Sequence, residues 1–451
     1  MSSKLLIIAL DGADGRLLDV MSRSGAMPSL AALRAKGAFR FMDNRAEMSD
    51  DSIWASFQFG APLADHGRYH FMVQLASGGT RMAVKFEDGR RTFWHQLSAQ
   101  GLSVCIIDVP KCPVPVPLNG IQLTDWSVHG HYFKAPQSYP LELAGQVVAA
   151  HGTQECKWCD YHQPLLDDEQ VGVIVGDLLA SVEAKRKVAC EQLGRAAWDM
   201  AIIGFKEAHC AGHGLWQFAD RQHAEYDAAR LSRLGDPVGR VYRALDEAIG
   251  DLLAAAGSGT EVLVFSNCFM EPNGSILHLG KQLRDRMNEE LSRRHGGGPD
   301  ASSHPPHPFC ALLDANDNQL ALRLPRHDQA LFVTLLGETT ALLAGLLDAG
   351  TGQPVFDRIE RPSTQPQGKA RGRLPDILAW CKPNVTPQAI VSPVLGRIEA
   401  PVQRMRPGNH SMGGAVFAAG PRVGALAGRL VNVSDFAGVA RAFFFAAPDR
   451  S

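Results

Sequence analysis

The chain lacks any apolar run near the ~18 residues that a membrane-spanning helix needs. Its first apolar run, Leu5 to Leu10, is too short for a signal-peptide core and stops at Asp11. These absences argue against a membrane partner and point to a cytoplasmic location. An excess of charge of one sign is also missing. The 45 Lys+Arg and 47 Asp+Glu leave a formal charge of −2, so no global attraction to nucleic acid is expected. Cysteine is scarce and unpatterned: nine residues, an odd number at scattered spacing, imply no disulfide framework. There is no P-loop and no G-x-S-x-G elbow, and Gly12-Ala13-Asp14-Gly15 lacks the dinucleotide fingerprint.

What is present is ordinary globular material. The 451 residues are 45% hydrophobic and 20% charged, enough for a large core. The length fits roughly two to four domains, or one large α/β domain with insertions. Short apolar runs read as buried parallel strands: Leu5–Leu10, Val104–Ile107, Ala201–Phe205, Val262–Phe265 and Ala415–Ala418. Residues 168–195 and 238–256 read as amphipathic helices between them. Alternating strands and helices predict an α/β, doubly wound, mostly parallel sheet. The texture changes at 275–405, where Gly/Pro/Ser-rich loops at 295–309 and 362–373 flank a small α+β unit. The expected organisation is a core of 1–274 and 406–451 with 275–405 as an insertion or cap.

Polar residues follow the strands closely: Asp11 after the first, Glu207 and His209 after Phe205, Asn267 and Cys268 after Phe265. Sites in open α/β sheets form outside the carboxyl ends of strands, so these residues are expected to converge. His209 and His213, four apart, would share one helix face. Cys156-x-x-Cys159 with His162 nearby is half of a zinc knuckle, with no second C-x-x-C to complete it. His129, His131, His304 and His307 read as exposed loop histidines.

Taken in order, these pieces resemble the alkaline phosphatase superfamily, in its type I phosphodiesterase/nucleotide pyrophosphatase branch. Leu6-Ile7-Ile8-Ala9-Leu10-Asp11-Gly12 looks like the opening strand and its metal-binding Asp. Met27-Pro28-Ser29-Leu30 with Leu33, and Ile53-Trp54-Ala55-Ser56-Phe57 with Gly60, Pro62 and His66-Gly67, track the next signature blocks. Val109-Pro110, Asn119-Gly120, His213 with Trp216, Thr351-Gly352-Gln353-Pro354-Val355, Leu374-Pro375-Asp376-Ile377-Leu378-Ala379-Trp380, and Gly408, His410 and Gly420-Pro421 are similar to later landmarks.

The resemblance implies two divalent metals, usually zinc, and departures fall at their ligands. His209 stands where the family has Asp, so His209, His213 and His410 form a tris-His set for the first ion. Three imidazoles suit Zn²⁺ first, with Fe²⁺ as the alternative. For a second ion the resemblance supplies Asp11, but Asn267 and Cys268 stand in the S-D-H-G turn, which here reads Ser266-Asn267-Cys268-Phe269. Asp50 falls at the nucleophile position, flanked by Ser49 and Ser52, either of which a local shift could bring there. Asp50 could be nucleophile, base or bridging ligand, and Glu207 a carboxylate behind a ligand. One or two ions are therefore expected. The implied activity is metal-dependent hydrolysis or transfer of a phosphoester-like small molecule. The alternatives are repurposed tris-His chemistry with iron or a single zinc, and a non-catalytic binding descendant. The oligomeric state is left open.

Overall fold

In a computed structural model, the structure describes residues 4–74, 80–82, 89–128, 133, 135–154, 166–296, 309–364, 373–402 and 406–446. Cys156, Cys159, His162, His129, His131, His304 and His307 lie outside the described residues.

The opening strand, Lys4–Asp14, is the axis of a sheet that has nine strands among the described residues. It pairs in parallel with Met200–Phe205 on one side and Thr260–Pro272 on the other. Beyond Met200–Phe205 come Val104–Ile107 and Gly120–Thr124, also parallel. Antiparallel strands close the edges: Gln137–Tyr139 on one, and Gly414–Ala419 followed by Ala38–Met42 on the other. The mostly parallel, helix-covered sheet read from the apolar runs is therefore present, except that the run Ala415–Ala418, expected as a parallel strand, is antiparallel to both its neighbours.

Alternation along the opening strand shows why these runs are continuous. Leu6, Ile8 and Leu10 enter one core, with the helices Asp168–Arg195 and Pro237–Ala256 above them. Leu5, Ile7 and Ala9 enter the other, with Trp54, Phe57, Phe265 and Phe436. A strand buried on both faces needs apolar residues at every position. Each covering helix has a local start signal. Asp167 and Gln170 form a capping box before Asp168–Arg195, and Asp236 caps Pro237–Ala256, which has Pro at its first position.

Residues 277–399 carry a third core. There an antiparallel four-stranded sheet, in the order Ala311–Leu313, Gln319–Arg323, Ile377–Cys381 and Phe356–Glu360, packs with the helices Leu277–His295 and Gln329–Ala344. The turn before Gln319 reaches the main sheet: Gln319 Nε2 donates to Met48 O at 2.6 Å and Asn318 Nδ2 to His410 O at 3.2 Å. No helix among the described residues is long and apolar enough to cross a membrane.

One feature differs from the sequence expectation about cysteine. Cys210 is disulfide-bonded, while the other six described cysteines are free. The scattered spacing of the nine cysteines gave no sign of this bond.

Candidate metal centre

Two elements bring three histidines together at the carboxyl ends of the central strands. His209 and His213 project from the helix Glu207–Leu215, which follows Met200–Phe205. His410 comes from the short strand Gly408–Ser411, paired antiparallel to the far end of Thr260–Pro272. The three ring centroids are 4.4, 4.5 and 4.7 Å apart. One nitrogen from each ring lies within 4.8 Å of the others. All three rings are buried. Two glycines permit this approach. A Cβ on Gly12, at φ +65°, would lie 2.3 Å from His209 Cα, and one on Gly408 would lie 2.0 Å from Gly212 O.

The protonation states suit a metal. Burial pushes His209 and His410 down to about 3 and His213 well below its ordinary value, so all three are neutral at physiological pH. His213 Nδ1 bonds to Gly408 O at 2.8 Å. A carbonyl only accepts, so Nδ1 carries the hydrogen and Nε2 keeps its lone pair. That Nε2 is buried and has no hydrogen-bond partner among the described residues. An orphaned lone pair facing two other imidazoles is the donor chemistry that zinc or iron takes.

Asp11, at the end of the opening strand, places Oδ2 3.3 Å from His209 Nδ1. Its other oxygen accepts from Trp54 Nε1 at 2.8 Å and Asn267 Nδ2 at 3.1 Å. The Asn267 amide oxygen in turn accepts from Gly12 N at 2.9 Å. Cys268 Sγ lies 3.2 Å from His410 Nδ1. Burial, with Asp11 and Asp14 nearby, pushes its thiol well up, so it stays protonated. Asn267 thus faces Asp11, and Cys268 stands behind His410.

Asp50 opens the helix Asp50–Phe59, and Ser49 caps it by accepting from Ser52 N. The Ser49 hydroxyl donates to Tyr69 O and the Ser52 hydroxyl to Glu47 O. Both are buried and committed to backbone. Asp50 Oδ2 and Asp51 Oδ1 each lie 2.5 Å from Lys111 Nζ. Burial alone would raise the Asp50 pKa, but the Lys111 charge outweighs it and holds the carboxyl well below its usual range. Such a carboxylate is a weak proton acceptor near neutral pH.

Glu207 turns away from the histidines. Its carboxylate accepts from Ser181 Oγ at 2.6 Å and lies 3.6 Å from Lys185 Nζ. Lys185 and Lys206 both reach Asp108, at 2.8 and 3.1 Å. Asp108 also accepts from Trp126 N and Ser127 N. This buried knot fixes the loop that delivers Lys111. Neither Lys111 nor Trp54 stands out in the sequence as a site residue. The available signals were a lysine just past a buried strand and a tryptophan in a matched block.

This is an alkaline phosphatase-like α/β fold with a buried histidine cluster at the strand ends. The sequence matches the type I phosphodiesterase / nucleotide pyrophosphatase family over residues 5–391, and the chain belongs to that family. Among solved structures it is similar to phosphonoacetate hydrolase from Sinorhizobium meliloti 1021 in complex with phosphonoformate. The identity is 12%, the match covers 98% of this chain and 96% of that one, and the TM-score is 0.56. It is also similar to inactive murine ectonucleotide pyrophosphatase/phosphodiesterase 5 in complex with AMP, at 11% identity, 99% and 96% coverage, and TM-score 0.52. At these identities the likeness shows the fold. No curated protein sequence matches the chain.

Proposed function

We propose that the protein is a single-ion metallohydrolase acting on a phosphoester-like small molecule. His209, His213 and His410 would hold the ion, with zinc the first choice and iron the alternative. The observation that carries this reading is the inward lone pair of His213, fixed by the bond of the ring's other nitrogen to Gly408 O and without a hydrogen-bond partner among the described residues. A bound divalent ion supplies Lewis acidity to a phosphoryl oxygen or a water. Cys268 orients His410 from behind, through the ring nitrogen turned away from His209, while Asp11 Oδ2 lies 3.3 Å from His209 Nδ1, the nitrogen that faces His410 Nε2 at 3.2 Å. Asp50, held ionised by Lys111, orients the substrate or water rather than removing a proton.

The second-ion residues support one ion rather than two. Asp11 Oδ1 already accepts two hydrogen bonds, Asn267 is bonded at both ends, and Asp50 is paired with Lys111. The committed hydroxyls of Ser49 and Ser52 favour direct attack by water over a serine intermediate. The same features keep open the second reading, tris-His iron chemistry. The test is elemental analysis plus hydrolysis of an aryl phosphodiester and of a phosphonate, in zinc- and iron-loaded protein. One equivalent of metal and hydrolysis, both lost in His213→Ala, are expected. Metal without hydrolysis of either substrate, but with iron-dependent oxygen uptake, would move the assignment to the iron reading.

A further inference from the structure

Four consecutive polar residues are buried in the turn that leads into Gln319–Arg323. Asn316, Asp317, Asn318 and Gln319 are 8, 3, 2 and 1% exposed. A polar turn ordinarily faces water, and burying it costs free energy unless its groups find partners. Here three of the four reach out of their own unit. Asp317 Oδ2 pairs with Arg406 Nε at 2.8 Å. Asn318 Nδ2 donates to His410 O at 3.2 Å. Gln319 Nε2 donates to Met48 O at 2.6 Å, and Gln319 Oε1 accepts from the Tyr69 hydroxyl.

These contacts land on two sides of the centre. Arg406 and His410 lie on one side, at and just before the strand Gly408–Ser411. Met48 lies on the other, two residues before Asp50, where a left-handed backbone at φ 63° turns the chain into the helix Asp50–Phe59. Tyr69 O accepts from the hydroxyl of Ser49, the cap of that helix, so Gln319 holds the helix start at two points. Asp50, His209 and His410 lie close enough to act on one another's charge. The turn itself is anchored. Gln319 pairs with Trp380 in the antiparallel sheet, Gln319 N donates to Asn316 O at 2.9 Å, and Cys381 N donates to Asn318 O at 2.8 Å.

We propose that the turn 316–319 is a clamp: Asn318 and Gln319 are positioning residues that hold the His410 strand and the start of the Asp50 helix at one fixed separation. The unit 277–399 would then be part of the centre's scaffold and not only a cover over it. The clamp deepens the single-ion reading and rests on it for any effect on metal, but its hold on the two segments is separable. Both amides donate to main-chain oxygens, so each fixes a segment of backbone and leaves the side chains of His410 and Asp50 free to act.

The experiment compares the full chain as wild type, Asn318→Ala, Gln319→Ala and the double variant. Amide hydrogen exchange, followed by peptide mass spectrometry on chelator-treated protein, reads the two segments without metal. Gln319→Ala should speed exchange about 5-fold in residues 48–53, and Asn318→Ala about 5-fold in 408–411, one lost hydrogen bond each. The central strand Met200–Phe205 should change less than about 2-fold. Cobalt(II), loaded in place of zinc, reads the centre: the double variant should bind it about 10-fold more weakly, with shifted visible absorption bands. Asn318→Leu and Gln319→Met fill the same volume without a donor and replace the alanine variants if a circular-dichroism melt shows that those do not fold. Exchange that is unchanged in both segments, or faster evenly over the whole chain, would overturn the proposal. So would cobalt affinity and bands identical to wild type in the double variant. A wild type that takes up no cobalt would overturn the single-ion reading instead, and the exchange pattern would still decide the clamp.

Discussion

His213 donates its Nδ1 hydrogen to Gly408 O at 2.8 Å, and Gly408 can stand there because it has no side chain. A methyl group at 408 would lie 2.0 Å from Gly212 O and 2.6 Å from Trp216 Cβ. Gly408→Ala should therefore push the strand away and release the ring. Hydrogen-bond partners behind metal ligands contribute about 10–100-fold in affinity. A loss in that range, measured by chelator competition for zinc in folded protein, is expected. Unchanged affinity would mean that His213 needs no such support.

Cys268 makes the equivalent contact with the third ligand, 3.2 Å from His410 Nδ1. Its sulfur is fully buried and stays protonated. Cys268→Ser preserves a hydrogen-bonding group and should hold zinc within about 3-fold of wild type, while Cys268→Ala should lose about 10-fold or more. Equal retention in both variants would assign Cys268 to packing alone. Complete loss in both would make the sulfur a direct ligand.

The two predictions separate what the sequence reveals from what it hides. Residue type and order were legible. Strands buried on both faces leave unbroken apolar runs, and a polar residue ending such a run has few places to go but the strand end. Asp11, His209, His213 and His410 could be picked out on that basis together with the family resemblance, and the structure brings them together. What hydrogen bonds do with a residue was not legible. Glu207 lies two positions before His209, yet helical geometry turns it toward Ser181 and Lys185. Asn267 lies next to Cys268, yet successive strand residues point to opposite faces, and Asn267 meets Asp11 while Cys268 meets His410. Lys111 depends on a left-handed backbone that no residue type announces.

Ser49 and Ser52 flank the position where a hydroxyl nucleophile is expected, and both hydroxyls are bonded to main-chain carbonyls. Ser49→Ala should cost about 1 kcal/mol of stability through the lost helix cap. Ser52→Ala should cost a similar amount through its lost buried hydrogen bond. Neither should lower the kcat of the folded protein more than about 3-fold. Urea unfolding and steady-state assays on both variants check this. A loss of several orders of magnitude in kcat in either would identify a serine nucleophile and end the direct-water reading.

Glu47 anchors the helix that carries Asp50 from beneath. Its carboxylate accepts from the Ser56 hydroxyl and from Leu63 N at 3.0 Å, and Ser56 also contacts His66 Nε2 at 2.8 Å. Burial pushes its pKa from 4.5 up to about 7, against the opposing pull of these hydrogen bonds. The folded state therefore holds a proton that the unfolded chain has already released. The stability this confers is full below pH 4.5 and is lost as pH rises through about 7. The gap corresponds to about 3 kcal/mol at most. Glu47→Gln removes the titration. Between pH 5 and 8 wild type should thus lose stability relative to the variant, by an amount approaching that figure, in urea unfolding at each pH. Neutral buried histidines act in the opposite direction at acid pH, but they are common to both proteins and cancel in the difference. Parallel pH profiles for the two proteins would show that Glu47 is ionised in the folded state and that a positive partner, not a proton, holds it there.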